Sequence, residues 1–310
     1  MKTNKPLSVL FLSALSASIF ASCCGTNSNQ RRENNNVDQF ANSIFATAEV
    51  LSTIQPEILD EISGIDNSSL YKDCLWVNND SGDNPNVYLI NLSGELIATV
   101  VLNGIENRDW EAIATGGGYI YVGEIGDNNS VYLSKKIYRF KEPQNIDLSA
   151  LDAKIEISEF ETMSLNLENG NRDTETLIFD PITNNLVIVS KREDSMFVYE
   201  FAFKATKDDE IELVKAIDNT LNFSFATGGD FSEDGMQLLV KNYRNIYYWQ
   251  RKSKDESLNE MLSRKGEIVP FAAEPQGEAV CWNSDGSAYY TISEKSRSKN
   301  MPPIHIYRKK

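Results

Sequence analysis

The sequence has one histidine, His305, in 310 residues. A metal site built on two histidines is therefore excluded, and a histidine-based hydrolytic triad would depend on this residue alone. His305 sits between apolar neighbours in the last strand-like run and reads as structural. Cysteine is scarce as well. Of four, Cys23 and Cys24 lie close to the N-terminus, which leaves Cys74 and Cys281 for the folded part. Two readings of that pair stay open: a disulfide in an exported protein, or two buried thiols in apolar strands. Positive charge is in deficit, 30 Lys and Arg against 45 Asp and Glu. Nucleic acid and anionic membrane surfaces, which need clustered Lys and Arg, are not expected as partners. Beyond the first 20 residues no apolar run approaches the ~18 residues of a membrane span. Gly116-Gly117-Gly118 reads as a turn between strands and lacks the helix that a phosphate loop needs. Asp80-Ser-Gly-Asp83-Asn does not have the EF-hand ligand spacing.

What is present begins with a leader. Lys2 and Lys5 precede an apolar stretch from Leu7 to Phe20 that is too short to span a membrane. Phe20-Ala21-Ser22-Cys23 then resembles the bacterial lipobox, in which the cysteine is lipidated and becomes the new N-terminus. Residues 1–22 are thus expected to be a lipoprotein signal peptide, with Cys23 the lipidation site. Residues 23–42, rich in Asn, Ser, Gln and Arg, form a flexible tether, and residues 43–310 form one domain. Loss of the two leader lysines takes the net charge from −15 to −17. The expected location is the cell envelope, at the outer membrane, periplasm or cell surface, with the lipid as the sole contact with the membrane.

From residue 43 onward, short runs of β-branched and aromatic residues alternate with Gly, Asn, Asp and Pro turn signals. Five segments pair an acid with an apolar run: Glu61-Ile-Ser-Gly, Trp110-Glu111-Ala-Ile, Thr174-Glu175-Thr-Leu, Gly229-Asp230-Phe and Gly277-Glu278-Ala-Val. They recur at 48 to 64 residues, the period of propeller blades. Each repeat carries four strand-like runs, the fourth being Lys154 to Phe160 in the second repeat and Ile211 to Lys215 in the third. The turns Asp180-Pro181, Ser232-Glu-Asp-Gly235 and Asn283-Ser-Asp-Gly286 fall at one place, between the first and second runs. The last repeat has three runs, and Ile44 to Leu51 is expected to supply the fourth and close the ring. The pattern predicts an all-β propeller of five four-stranded blades, or six if Ala150 to Asn169 hides a degenerate one. Asp255 to Ser263 is expected to be a short helical excursion.

In a propeller the first strand of each blade lines the axis, so a repeated acid becomes a ring of acids around one mouth of the channel. The expected metal ligands are Glu61, Glu111, Glu175, Asp230 and Glu278. Two repeats share a longer string, Asn107-Arg108-Asp109-Trp110-Glu111 and Asn171-Arg172-Asp173-Thr174-Glu175. With loops from the same face, this adds Asp80, Arg108, Asp109, Asp127, Arg172 and Asp173 as expected ligand-binding residues, the arginines pairing with Asp109 and Asp173 or with an anion. Trp110, beside Glu111, is a candidate to line the mouth. Carboxylates crowded into one site raise each other's pKa and need arginines, a cation or protons to balance them. An all-oxygen set selects a hard ion, calcium before magnesium, because calcium tolerates an irregular ring. The same acids have a structural reading too, accepting backbone N–H groups and stitching blades together.

Asn79-Asp-Ser-Gly, Asn107-Arg-Asp-Trp-Glu, Gly123-Glu-Ile-Gly-Asp-Asn, Thr174-Glu-Thr-Leu, Gly228-Gly-Asp-Phe-Ser and Gln276-Gly-Glu-Ala-Val resemble motifs of bacterial secreted and lipoprotein β-propeller proteins. These are grouped loosely with TolB-like and NHL-like propellers. The resemblance runs from about Glu61 to the C-terminus and implies a propeller, usually six-bladed, without implying a reaction. More distantly the ring is similar in arrangement to calcium-dependent apyrases and to propeller phytases, whose sequence motifs are not found here. Two functions follow as expectations. One is a lipid-anchored binding module with a calcium-holding axial face that takes a protein or small-molecule ligand. The other is a calcium-assisted hydrolase of a phosphorylated or ester substrate, with Glu111, Glu175 and Glu278 as metal ligands or general bases.

Overall fold

The computed structural model describes residues 40–295 and 300–310. The expected signal peptide, the lipidation site Cys23 and the tether up to residue 39 lie outside the described residues. Alternating and continuous apolar runs become twenty-one strands. After β1 (Glu49–Thr53), blade 1 is β2 (Ile62–Asn67), β3 (Cys74–Asn79), β4 (Asn86–Asn91) and β5 (Leu96–Leu102). Blade 2 begins with β6 (Trp110–Gly116), β7 (Tyr119–Glu124) and β8 (Lys135–Lys141), followed by β9 (Ala153–Ile157) and β10 (Glu161–Leu167). Blade 3 is β11 (Thr174–Asp180), β12 (Asn185–Ser190) and β13 (Val198–Ala202), followed by β14 (Glu212–Val214). Blade 4 is β15 (Ala226–Phe231), β16 (Gln237–Asn242), β17 (Ile246–Gln250) and β18 (Glu267–Val269). Blade 5 is β19 (Gly277–Trp282), β20 (Ala288–Ser293) and β21 (Pro303–Arg308).

The first strands β2, β6, β11, β15 and β19 pack side by side in that order, and β19 packs against β2. The ring therefore closes at five blades, and the six implied by the resemblance are not found. The 150–169 stretch holds no extra blade. β9 runs parallel to β5 at the outer edge of blade 1, and β10 is the antiparallel fourth strand of blade 2. The same step recurs one blade later, where β14 adds in parallel to β10. Two expectations are corrected here, since the Lys154 and Ile211 runs are not the fourth strands of their own repeats. Alternation marks a strand but does not name its partner. Ile155 and Ile157 bury their apolar face between blades 1 and 2 by crossing back. Blade 3 is left with three strands. As the sequence predicts, the chain start completes blade 5, with β1 antiparallel to β21 and Phe45 bridging Lys309.

The core lies between blades rather than within one central body. Five apolar layers separate consecutive sheets, from blades 1 and 5 round to blades 4 and 5. Each inner sheet is covered on both faces, which is why β3, β11, β16, β19 and β20 are buried along their whole length. Cys74 belongs to the layer between blades 1 and 2 and Cys281 to that between blades 1 and 5, so blade 1 separates them. Both are free buried thiols, and burial pushes Cys74 up to about 11. The predicted excursion is helix α1 (Leu258–Leu262), started by a Ser257–Glu260 capping box. Leu258, Met261 and Leu262 bury in the layer between blades 3 and 4.

Candidate functional site

Every first strand has a β-bulge at one height, where two residues face one on the neighbouring strand. The breaks fall between Ile62 and Gly64, Trp110 and Ala112, Thr174 and Thr176, Ala226 and Gly228, and Gly277 and Ala279. The extra residues are Ser63, Glu111, Glu175, Thr227 and Glu278. A bulge turns its extra side chain out of the ladder, here toward the axis, since Ser63 reaches across blades in both directions. Its Oγ lies 2.8 Å from the Glu111 carbonyl oxygen, 3.1 Å from Glu111 Oε2 and 3.4 Å from Glu278 Oε2. Glu111, Glu175 and Glu278 bring carboxylate oxygens within 4.8 Å of one another. Asp80, just after β3, and Asp109, just before β6, make a second such group with Glu111.

The three glutamates are almost fully buried. Burial, then Glu175, Asp80 and Glu278, hold the Glu111 carboxyl well above the usual carboxylate range. Burial raises Glu175 to about 8 against the pull of Lys191, with Glu278 adding to the rise. Burial lifts Glu278 too, against Lys191 and a hydrogen bond from Tyr243. Asp109 is pushed up to about 6 by burial and then by Asp80 and Asp173. Glu294, on the rim after β20, rises to about 8 through burial and then Glu278. All five shifts have one cause: negative charge gathered out of water with too little positive charge beside it.

At Glu175 and Glu278 that positive charge is chiefly Lys191, with Lys241 also acting on Glu278 and Lys135 and Arg108 on Asp109. The Lys191 Nζ pairs with Glu175 Oε1 and lies 3.0 Å from Tyr243 Oη, which donates to Glu278 Oε1 at 3.0 Å. The second Glu175 oxygen, Oε2, is buried without a hydrogen-bond partner. Gly126 closes one side of the basin, because a Cβ there would stand 2.5 Å from Asp109 Oδ2 and 2.6 Å from Glu111 Oε1. An orphaned carboxylate oxygen and a wall kept free of side chain fit an oxygen-ligated cation.

The expected residues divide as follows. Glu111, Glu175, Glu278, Asp80 and Asp109 come together. Glu61 does not join them; it lies two residues before the Ser63 bulge and is exposed. Asp230 sits three residues past the Thr227 bulge, near the far end of the axis. There it faces Asp66, its counterpart in blade 1, and burial followed by Asp66 holds it well above the carboxylate range. Between the two ends the axis is filled by Gly64, Ala112, Gly228 and Ala279, leaving a void of about 10 Å³. Beyond it a cavity of about 200 Å³ opens among Asp66, Thr115, Phe179, Asp230 and Trp282. The arginines do not meet at the axis. Arg108 faces Glu124 at 3.5 Å and stacks on Tyr132, while Arg172 pairs with Glu193 at 2.5 Å. Asp173 accepts from Arg192 at 2.6 Å and from the Asp127 N–H at 2.9 Å. Asp127 spends its own carboxylate on the Val131 and Tyr132 N–H groups. Trp110 points into the layer between blades 1 and 2 and does not line the mouth.

Sequence reasoning missed Ser63, Thr227 and the roles of Lys191 and Tyr243. A signal for the first two existed. Each bulge residue precedes a small one: Ser63-Gly64, Glu111-Ala112, Glu175-Thr176, Thr227-Gly228, Glu278-Ala279. No protein-family model matches the chain, and no curated protein matches it. Among solved structures, the nidogen/laminin complex is similar over 75% of this chain and 72% of the other, at 15% identity and a TM-score of 0.44. The fold rests on the chain's own strand order, and that likeness adds nothing about a ligand.

Proposed function

We propose that the protein is a propeller binding module whose acidic mouth takes a divalent cation, calcium before magnesium, and through it a protein or small-molecule ligand. Glu111, Glu175 and Glu278 would hold the ion, with Asp80 and Asp109 on the blade 1–2 side. The observation that carries this reading is the buried, unpartnered Glu175 Oε2 inside a ring of acids of which only Glu175 is paired directly with an ammonium, that of Lys191. The stitching alternative accounts for less, since the glutamates face one another rather than backbone N–H groups. The lipobox-like Cys23 would carry the module on a bacterial envelope membrane, in keeping with motifs that resemble those of secreted and lipoprotein propellers.

The test is thermal unfolding of residues 40–310 in EDTA and in millimolar calcium. Calcium at 100 times its dissociation constant stabilises by about 2.7 kcal/mol, a rise of several degrees at this size. The rise is expected to vanish in Glu175→Gln; superimposable wild-type curves would sink the cation site. The raised carboxyl of Glu111 favours one second reading, a calcium-assisted hydrolase with Glu111 as general acid. Turnover on a panel of phosphate monoesters and carboxylic esters, abolished in Glu111→Gln, would move the conclusion to an enzyme.

A further inference from the structure

Lys191 stands directly after β12, with its backbone clamped between blades. Its N–H donates to the Asp173 carbonyl at 2.9 Å, and its own carbonyl accepts from the Phe225 N–H at 2.6 Å. The side chain runs inward and is 6% exposed. Its ammonium occupies Glu175 Oε1 and Tyr243 Oη, and Tyr243 in turn occupies Glu278 Oε1. Two of the three glutamates that would ligate a divalent ion are thus engaged by one tethered cation and its phenol.

We infer that Lys191 is a built-in counter-cation, which a divalent ion must displace from Glu175 before it gains its full ligand set. The inference rests on the cation site proposed for the mouth. Charge supports it, because the two acid groups of the mouth hold five carboxylates while this ammonium pairs with Glu175 alone. Phe225 gives independent support. It has φ 63°, alone among aromatic and β-branched residues in the described chain, and a bulky side chain pays for that conformation in steric strain. Its N–H is bonded to the Lys191 carbonyl, and its ring, 44% exposed, lies 6.4 Å from that of Tyr243. The strained residue thus touches both members of the lysine–tyrosine pair, where an outward shift of Lys191 would have to be accommodated.

Calcium titration by calorimetry into residues 40–310, the range that contains all five sheets, tests this in wild type, Lys191→Met and Lys191→Arg. Lys191→Met is expected to bind calcium at least about tenfold more tightly, since a unit charge close to the ion is removed, while its metal-free unfolding temperature falls. Lys191→Arg, which keeps the charge, is expected to stay within about threefold of wild type. Tyr243→Phe provides a milder variant that loosens the lysine without deleting it, and its calcium affinity is also expected to rise. A structural lysine would lower stability in Lys191→Met without tightening calcium; unchanged or weaker binding in folded Lys191→Met and Tyr243→Phe overturns the inference. Absence of calcium binding in the wild type is a different failure, and removes the cation site itself.

Discussion

The carboxylates of this propeller differ by what stands beside them. Asp180 and Asp230 are both buried aspartates on first strands, three blade positions past a bulge or further. Asp180 meets Arg251 in two contacts, at 3.0 and 2.5 Å, with both side chains fully buried. Asp230 accepts only backbone donors, among them the Trp282 N–H at 2.8 Å, and faces Asp66. Asp66 is itself pushed up to about 7, by burial and then by Glu142. Two such carboxyls share a site best when they hold a proton. Asp230→Asn is therefore expected to stabilise the protein by about 1–2 kcal/mol at pH 8 and to change little at pH 4. Urea unfolding at the two values checks it, and equal effects at both would show that the pair is not short of a proton. Position along a strand explains why Glu61 and Asp230, grouped from sequence with Glu111, Glu175 and Glu278, do not meet them. An acid followed by apolar residues looks the same at a bulge as two or three residues from it, but the bulge sets which side chain reaches the axis.

At the scale of elements, the blades are unequal and are held by specific bonds where strands are missing. Blade 3 has three strands, and the Asp180 turn that ends its first strand is tied to blade 4 through Arg251, which also donates to the Gly235 carbonyl at 2.8 Å. Breaking a fully buried pair from one side leaves an unbalanced charge. Asp180→Ala is expected to cost about 3–5 kcal/mol, read as a lower urea midpoint with an unchanged slope; a loss below 1 kcal/mol would mean that the guanidinium finds water or another acceptor. Most strand runs, the turn sites, the short helix and the closing N-terminal strand were legible in residue pattern, because each is decided by local alternation or turn chemistry. The four-per-repeat count was not kept: the second repeat holds five strands and blade 3 only three. The destinations of β9 and β14 were not legible. Their side chains specify an apolar face and a polar one, and the blade that offers a free edge is a property of neighbours far along the chain.

Across the whole molecule, burial of acids makes stability depend on pH. Asp66 at about 7, Asp109 at about 6 and Glu294 at about 8 all lie above their unfolded values. A raised native pKa means that the folded state holds protons the unfolded chain has released, so its contribution is complete below about pH 4 and is lost as pH rises through 6 to 8. Metal-free protein is expected to unfold at lower urea at pH 8 than at pH 5, and calcium is expected to narrow the difference. A urea midpoint that climbs from pH 5 to 8 in EDTA would contradict this. The sequence by itself determined an all-β ring, its period and the closure by its own first strand, because strand alternation and turns are local and a 48- to 64-residue repeat leaves few ways to pack. Only the tertiary structure decided which acids meet. Five bulges at one height, the small residues beneath them, and a lysine and a tyrosine from the second-to-third-strand loops converge on the axis, and that convergence depends on distances between blades that no single repeat encodes.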